Sequence, residues 1–224
     1  TALAPPEHLV FIVEKGKLAP SARAAASKRL VSKMEHAKND SDDEQLRNFV
    51  RSSFEAAWLG KWDAEERENI VSKALSCDKD MKSSAFYISR GGECADRGEF
   101  YIKIAEEGNA DACVDVLERA VEDGWSRTIL DAILDSDDYI AMGRAIAYLD
   151  EGDEKQEIVS FLASTDPDGR GCAFALRCAF LSEDDEEMLV DRLEEVGFAE
   201  PLVEAGLYAP LSEGSLRRIF KVIP

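Results

Sequence analysis

Residues 108–169 read GNADACVDVLERAVEDGWSRTILDAILDSDDYIAMGRAIAYLDEGDEKQEIVSFLASTDPDG. Apolar side chains fall here by threes and fours: Val114, Leu117 and Val121, then Ile129, Ile133 and Leu134, then Ile158, Phe161 and Leu162. Each set lines one face of a helix, and no stretch alternates as a strand requires. Glycine punctuates the pattern. Gly108, Gly152 and Gly197 stand 44 and 45 residues apart, and Gly124, Gly169 and Gly214 stand 45 and 45 apart. Ser136 and Ser182 precede acid-rich helix starts, where a hydroxyl accepts a free backbone N–H and carboxylates complement the dipole.

The same punctuation extends upstream through Gly60 to Gly16. A short helix is expected over 5–15, behind Pro5 and Pro6, with His8 at its start. An Ala-rich helix follows over 20–38, and a third begins at the cap Ser41 and carries Leu46, Phe49, Val50, Phe54, Ala57 and Trp58. Further helices are expected over 63–75 and 80–89, then through Tyr101 and Ile104 toward Gly108. Glu99–Ile104 is the nearest approach to a strand, and helix fits it better. Past Gly108 they are expected over 110–123, 126–134, 138–149, 153–163, 170–181 and 183–196, with two short ones in the tail. At an offset of 44, Tyr101, Ala145 and Leu189 correspond, as do Ala105, Leu149 and Leu193.

The unit that emerges is three helices in about 45 residues. In length and punctuation it resembles HEAT and armadillo repeats, whose period is roughly 40–47 residues. The resemblance implies an all-α fold, a right-handed α-solenoid of about five three-helix units forming one domain over 1–224. The alternative is an irregular helical bundle. A single unit cannot cover its own apolar face, so stacked units share a core and offer a curved surface to a partner.

Charge sharpens the expectation. The chain carries 46 Asp+Glu against 27 Lys+Arg, a net charge of −19. Residues 1–100 hold 17 against 16, whereas residues 101–224 hold 29 against 11. So acidic a half repels nucleic acid and anionic lipid and attracts a basic protein partner. The apolar runs are all too short to cross a bilayer. The five cysteines form no CxxC pair and are accompanied by two histidines. They are expected to be free structural thiols in a reducing, cytoplasmic setting.

Candidates for chemistry reduce to bland roles. The acids at 135–138 and 184–187 read as helix caps. Asp166-Pro167-Asp168-Gly169 resembles the middle of an EF-hand loop but lacks the closing Glu, with Cys178 near that place. His36 reads as an exposed spectator. No nucleophile elbow or phosphate-binding loop occurs, so no catalytic, cofactor or metal site is expected and the protein reads as a non-enzyme. Arg23, Lys28, Arg29, Lys33 and Lys38 on the 20–38 helix offer weak grounds for nucleic-acid binding. Trp58 is expected in the core, with Trp62 and Trp125 on the rim.

The functional expectation is an acidic helical array that holds a basic partner. Its candidate contacts are Asp111, Asp115, Glu118, Glu122, Asp150, Glu151, Asp153 and Glu154, with Trp125 as an apolar anchor. A narrower alternative is a phage-encoded or immunity-type inhibitor whose carboxylates imitate nucleic-acid phosphates. Another is a nucleic-acid binder acting through the basic helix.

Overall fold

A computed structural model of the chain describes residues 19–39, 43–60, 62–107 and 109–223. The helix expected over 5–15, His8, Gly16, the cap at Ser41 and Gly108 lie outside these. Among the described residues there are thirteen α-helices and no strand. The chain divides into two compact units, residues 1–107 and 108–224.

Unit 1 contains α1 (Pro20–Asn39), α2 (Asp43–Leu59), α3 (Ala64–Leu75), α4 (Lys82–Ser89) and α5 (Arg97–Glu106). Helix α1 packs on α2 and α3, and α2 packs on α3 and α4. Leu30, Met34, Ile70, Val71 and Ile104 are fully buried between them. Phe54 stacks on Tyr87 at 4.9 Å between ring centres, and Phe100 lies 6.3 Å and 6.5 Å from the two. Two of the basic residues of α1 are used at home: Lys38 donates to the Ser76 carbonyl (2.9 Å), and Lys33 stands over the Phe49 ring.

Two tryptophans depart from expectation. Trp58 is 48% exposed, because α2 turns its core face through Phe54 and Ala57 and leaves the next position outside. Trp62 is 6% exposed rather than on a rim, since its indole N–H donates to the Ala56 carbonyl (2.7 Å) and folds the ring under the turn.

Unit 2 contains α6 (Ala110–Asp123), α7 (Ser126–Leu134), α8 (Tyr139–Ala145, continued by a 3-10 turn to Tyr148), α9 (Asp153–Thr165), α10 (Arg170–Cys178), α11 (Glu183–Val196), α12 (Ala199–Tyr208) and α13 (Glu213–Val222). Besides consecutive helices, those two apart are neighbours. Helix α6 packs on α8, α8 on α10 and α10 on α12, while α7 packs on α9, α9 on α11 and α11 on α13. The first row starts at residues 110, 139, 170 and 199, intervals of 29, 31 and 29. The second starts at 126, 153, 183 and 213, intervals of 27, 30 and 30. The three-helix unit of 45 residues is therefore corrected to a helix pair of about 30. Helices three apart fall in opposite rows and meet different neighbours.

Glycine behaves accordingly. Gly124 and Gly197 do end α6 and α11 in the left-handed region (φ +79° and +69°), whereas Gly152 is extended and opens α9. The closest helix contact uses Gly143, in mid-helix, and Gly171. A Cβ on Gly143 would lie 2.4 Å from the Gly171 carbonyl oxygen, and one on Gly171 would lie 2.4 Å from that of Tyr139. Backbone meets backbone there, so neither neighbour can swing aside.

The loop before α10 repeats the loop before α4. Asp78-Lys79-Asp80-Met81-Lys82-Ser83-Ser84-Ala85-Phe86 matches Asp166-Pro167-Asp168-Gly169-Arg170-Gly171-Cys172-Ala173-Phe174 at both acids, the base, the alanine and the phenylalanine. Both fourth residues, Met81 and Gly169, are left-handed (φ +56° and +77°). The hydrogen bonds coincide as well. Asp78 accepts from the Ser84 N–H (2.7 Å) and Asp166 from the Cys172 N–H (2.9 Å). Asp80 accepts from the Lys82 N–H (3.2 Å) and Asp168 from the Arg170 N–H (3.1 Å).

Replacing Gly143 or Gly171 by Ala is expected to destabilise unit 2 by about 2 kcal/mol or more, as overpacking against backbone does. Thermal unfolding followed by circular dichroism would then fall by roughly 5–10 °C. Gly152→Ala, which meets no atom within 4 Å, is the control and is expected to be near neutral.

Candidate interaction surface

Within each row the helices run the same way, as their side-chain pairings show. Ser126 donates to Glu154 (2.9 Å) and Arg127 to Glu157 (2.5 Å), first turn to first turn across α7 and α9. Gln156 reaches Asp185 (3.4 Å) across α9 and α11, and Glu186 accepts from the Ser212 N–H (3.0 Å) at the start of α13. Equivalent turns consequently stand side by side at one edge of unit 2. These are the connections α6–α7, α8–α9, α10–α11 and α12–α13.

Lys155 ties two of the turns together. The residue is 4% exposed, and the ammonium donates to Glu151 (2.6 Å) and to the Phe180 carbonyl (2.5 Å). A cation buried to this degree needs both partners to offset its lost hydration. The result holds the α10–α11 turn so that the Phe180 ring projects outward, 93% exposed. Tyr148 and Tyr208 are exposed at the neighbouring turns, and Trp125 is half-buried at the first. Each of the four turns thus carries one aromatic ring.

Acids outnumber bases throughout unit 2. Residues 109–224 hold 27 Asp+Glu and 10 Lys+Arg, a difference of 17. Nine of those ten cations already pair with a carboxylate inside the unit: Arg119, Arg127, Arg144, Lys155, Arg170, Arg177, Arg192, Arg217 and Arg218. Several bridge a row, as Arg170 to Glu200 (3.2 Å), Arg177 to Glu204 (2.5 Å) and Arg218 to Glu194 (2.6 Å). The carboxylates of Glu194 and Asp191 hold the Arg218 guanidinium above the usual arginine range. Exposed pairs of this sort contribute about 0–1 kcal/mol each, so they register the rows more than they stabilise them.

Of the nine expected contact residues, Glu122, Trp125, Asp150, Glu151, Asp153 and Glu154 stand at or beside the turn edge. Asp150 and Asp153 are exposed, while Glu122 pairs with Arg119 (2.5 Å). Asp111 and Asp115 lie elsewhere on α6, where both accept from Arg144 of α8 (2.6 Å and 3.3 Å). Glu118 is exposed on the same helix. Tyr148, Phe180 and Tyr208 were not among the expected contacts. Their signal in the sequence was one aromatic near each acid-led helix start, at a spacing of roughly 30 that a 45-residue frame hides.

The remaining acids have structural uses. Asp138, not Ser136, caps α8 by accepting from the Ala141 N–H (3.0 Å); Ser136 instead turns back to the Ile133 carbonyl. Ser182 caps α11. Asp166 is 0% exposed, and its carboxylate accepts from the Gly169 and Cys172 N–H groups while its carbonyl accepts from Arg192 (2.9 Å). The EF-hand likeness is therefore a helix-start clamp, and no group of three metal ligands occurs among the described residues.

The thiols split. Cys77, Cys113 and Cys172 are buried, but Cys178 is exposed at the end of α10, because the helix turns that position out. Burial pushes the Cys113 thiol up to about 12; burial, then the neighbouring Asp166, pushes Cys172 higher. Both stay protonated and unreactive at neutral pH.

Comparison with known proteins finds no match to a family model, to a curated protein or to a solved structure. No described helix is long and apolar enough to cross a membrane.

Asp166→Ala leaves two buried N–H groups without an acceptor and is expected to cost about 1–3 kcal/mol. Thermal unfolding checks this. Millimolar calcium should leave the melting temperature of the unaltered protein unchanged, whereas a calcium-dependent rise would restore the metal reading.

Proposed function

We propose that unit 2 is a non-enzymatic protein-interaction module, a helical solenoid built from helix pairs, whose turn edge holds a basic partner. The observation that carries this reading is the edge itself: four successive turns, each bringing an aromatic ring up beside carboxylates. Its helix-pair length lies nearer the roughly 33–34 residues of two-helix repeats than the 40–47 of HEAT and armadillo units.

The division of labour follows from the charges. With nine of ten cations spent internally, the surplus of 17 carboxylates gives unit 2 an unbalanced negative field. Such a field accelerates encounter with a cationic partner but adds little to the lifetime of the complex. Lifetime comes from rings that desolvate on contact, and Tyr148, Phe180 and Tyr208 are the exposed rings at this edge. Lysine and arginine side chains suit this edge doubly, because they pair with carboxylates and pack over aromatic faces. Two of the five cations of α1, Lys33 and Lys38, are engaged within unit 1, which weakens the case for nucleic-acid binding through that helix.

The test uses a short peptide rich in Lys and Arg, with association measured by interferometry at low and physiological salt. Asp150→Lys together with Asp153→Lys should weaken binding about tenfold at low salt, mostly through the association rate. Phe180→Ala should act mainly on dissociation. The same charge reversal at the opposite end, Asp135→Lys with Glu195→Lys, should have a much smaller effect. Equal losses from both ends would reduce the acidity to general solubility and end the proposal.

A further inference from the structure

Unit 1 holds a cleft with the opposite character. It lies between α2 and α4 and has a volume of about 310 Å³. Its floor is Phe54 stacked on Tyr87, whose hydroxyl donates to the Glu93 carbonyl (2.7 Å), so the base is fixed. Its walls are Trp58 and Phe86, both half exposed. A ring left outside in this way loses the burial that normally repays its size.

The rim is cationic. Among the described residues, Arg51, Lys82 and Arg90 line the cleft and Glu55 is the one carboxylate on it. Glu55 is met by Arg51 at 3.2 Å. Arg90 stands 5.3 Å over the Phe86 ring, which holds its guanidinium at the mouth. Three cations to one anion is a local excess of positive charge in a chain of −19. Ligand sites typically begin at roughly 300 Å³ and combine apolar walls with a few placed polar groups. An apolar cavity of about 150 Å³ admits one benzene ring, so this volume suits about two fused rings.

We propose that this cleft binds a small organic anion with a flat aromatic body. The rings lie between Trp58 and Phe86, and the anionic group meets Arg90 and Lys82. Guanidinium is well matched to such a ligand, because it pairs with a carboxylate, sulfate or phosphate while stacking on an aromatic face. The site is separate from the turn edge of unit 2 and does not depend on the function proposed for it.

Two probes of one shape decide the matter: 2-naphthalenesulfonate and 2-naphthylmethylammonium, titrated by calorimetry and by tryptophan fluorescence. The sulfonate is expected to bind once per chain and at least about tenfold more tightly than the ammonium. Lys82→Glu with Arg90→Glu, both at exposed positions, should reverse that preference while leaving the circular dichroism spectrum unchanged. Trp58→Ala should abolish saturable binding of either probe. Equal binding of the two probes would make this an apolar patch without charge selectivity and overturn the proposal. So would a sulfonate affinity untouched by the double reversal, or no saturable binding at all.

Discussion

The contact between α8 and α10 at Gly143 and Gly171 is the constraint on which unit 2 depends. With carbonyl oxygens 2.4 Å from where each missing Cβ would stand, the two backbones approach as closely as helices can. That approach makes helices two apart into neighbours at the middle of their row. The row then carries Arg144 to Asp111 on one side and Arg170 to Glu200 on the other. Backbone contact decides the spacing, and the exposed ion pairs trim it, because packing against a rigid neighbour outweighs a screened charge pair.

From this spacing the surface follows. Helix pairs repeated in parallel put like turns at like ends, so whatever a turn carries is presented once per pair. Lys155 shows how local chemistry uses that geometry: a buried ammonium reaches from the start of α9 to the Phe180 carbonyl one pair later. The exposed ring beside that carbonyl is held out at the edge. In unit 1 the same stacking logic leaves Trp58 and Phe86 outside on adjacent helices, with cations rather than acids around them. The two units therefore offer surfaces of opposite charge within one acidic chain.

Much of this was legible in the sequence. Helices α6 and α7 begin and end where their apolar stripes say they should, and the acid-rich starts of α9 and α11 are as expected. The 45-residue spacing misleads for a physical reason. A helix and its turn here occupy about 15 residues, so glycines 45 apart mark three helices whatever the packing, and three helices never return to the same row. Gly124 and Gly197 end helices, Gly169 begins one and Gly152 needs no special conformation, so equal spacing concealed unequal roles. Gly143, the glycine that matters most, belongs to neither series. The acids at 166 and 168 resemble metal ligands in sequence, whereas their likeness to the acids at 78 and 80 marks a helix-start clamp used twice. Trp62 could not be placed from its sequence neighbours, because its burial rests on one hydrogen bond to the preceding turn.

The direct test of the pairwise stacking is a distance between turns two pairs apart. Spin labels at positions 148 and 208, on a background in which Cys94 and Cys178 are replaced, can be measured by pulsed electron resonance. Two interaxial steps of about 8–10 Å predict a narrow distribution centred near 20 Å. A broad distribution, or one centred beyond about 35 Å, would show that the turns do not stand side by side and would contradict the account.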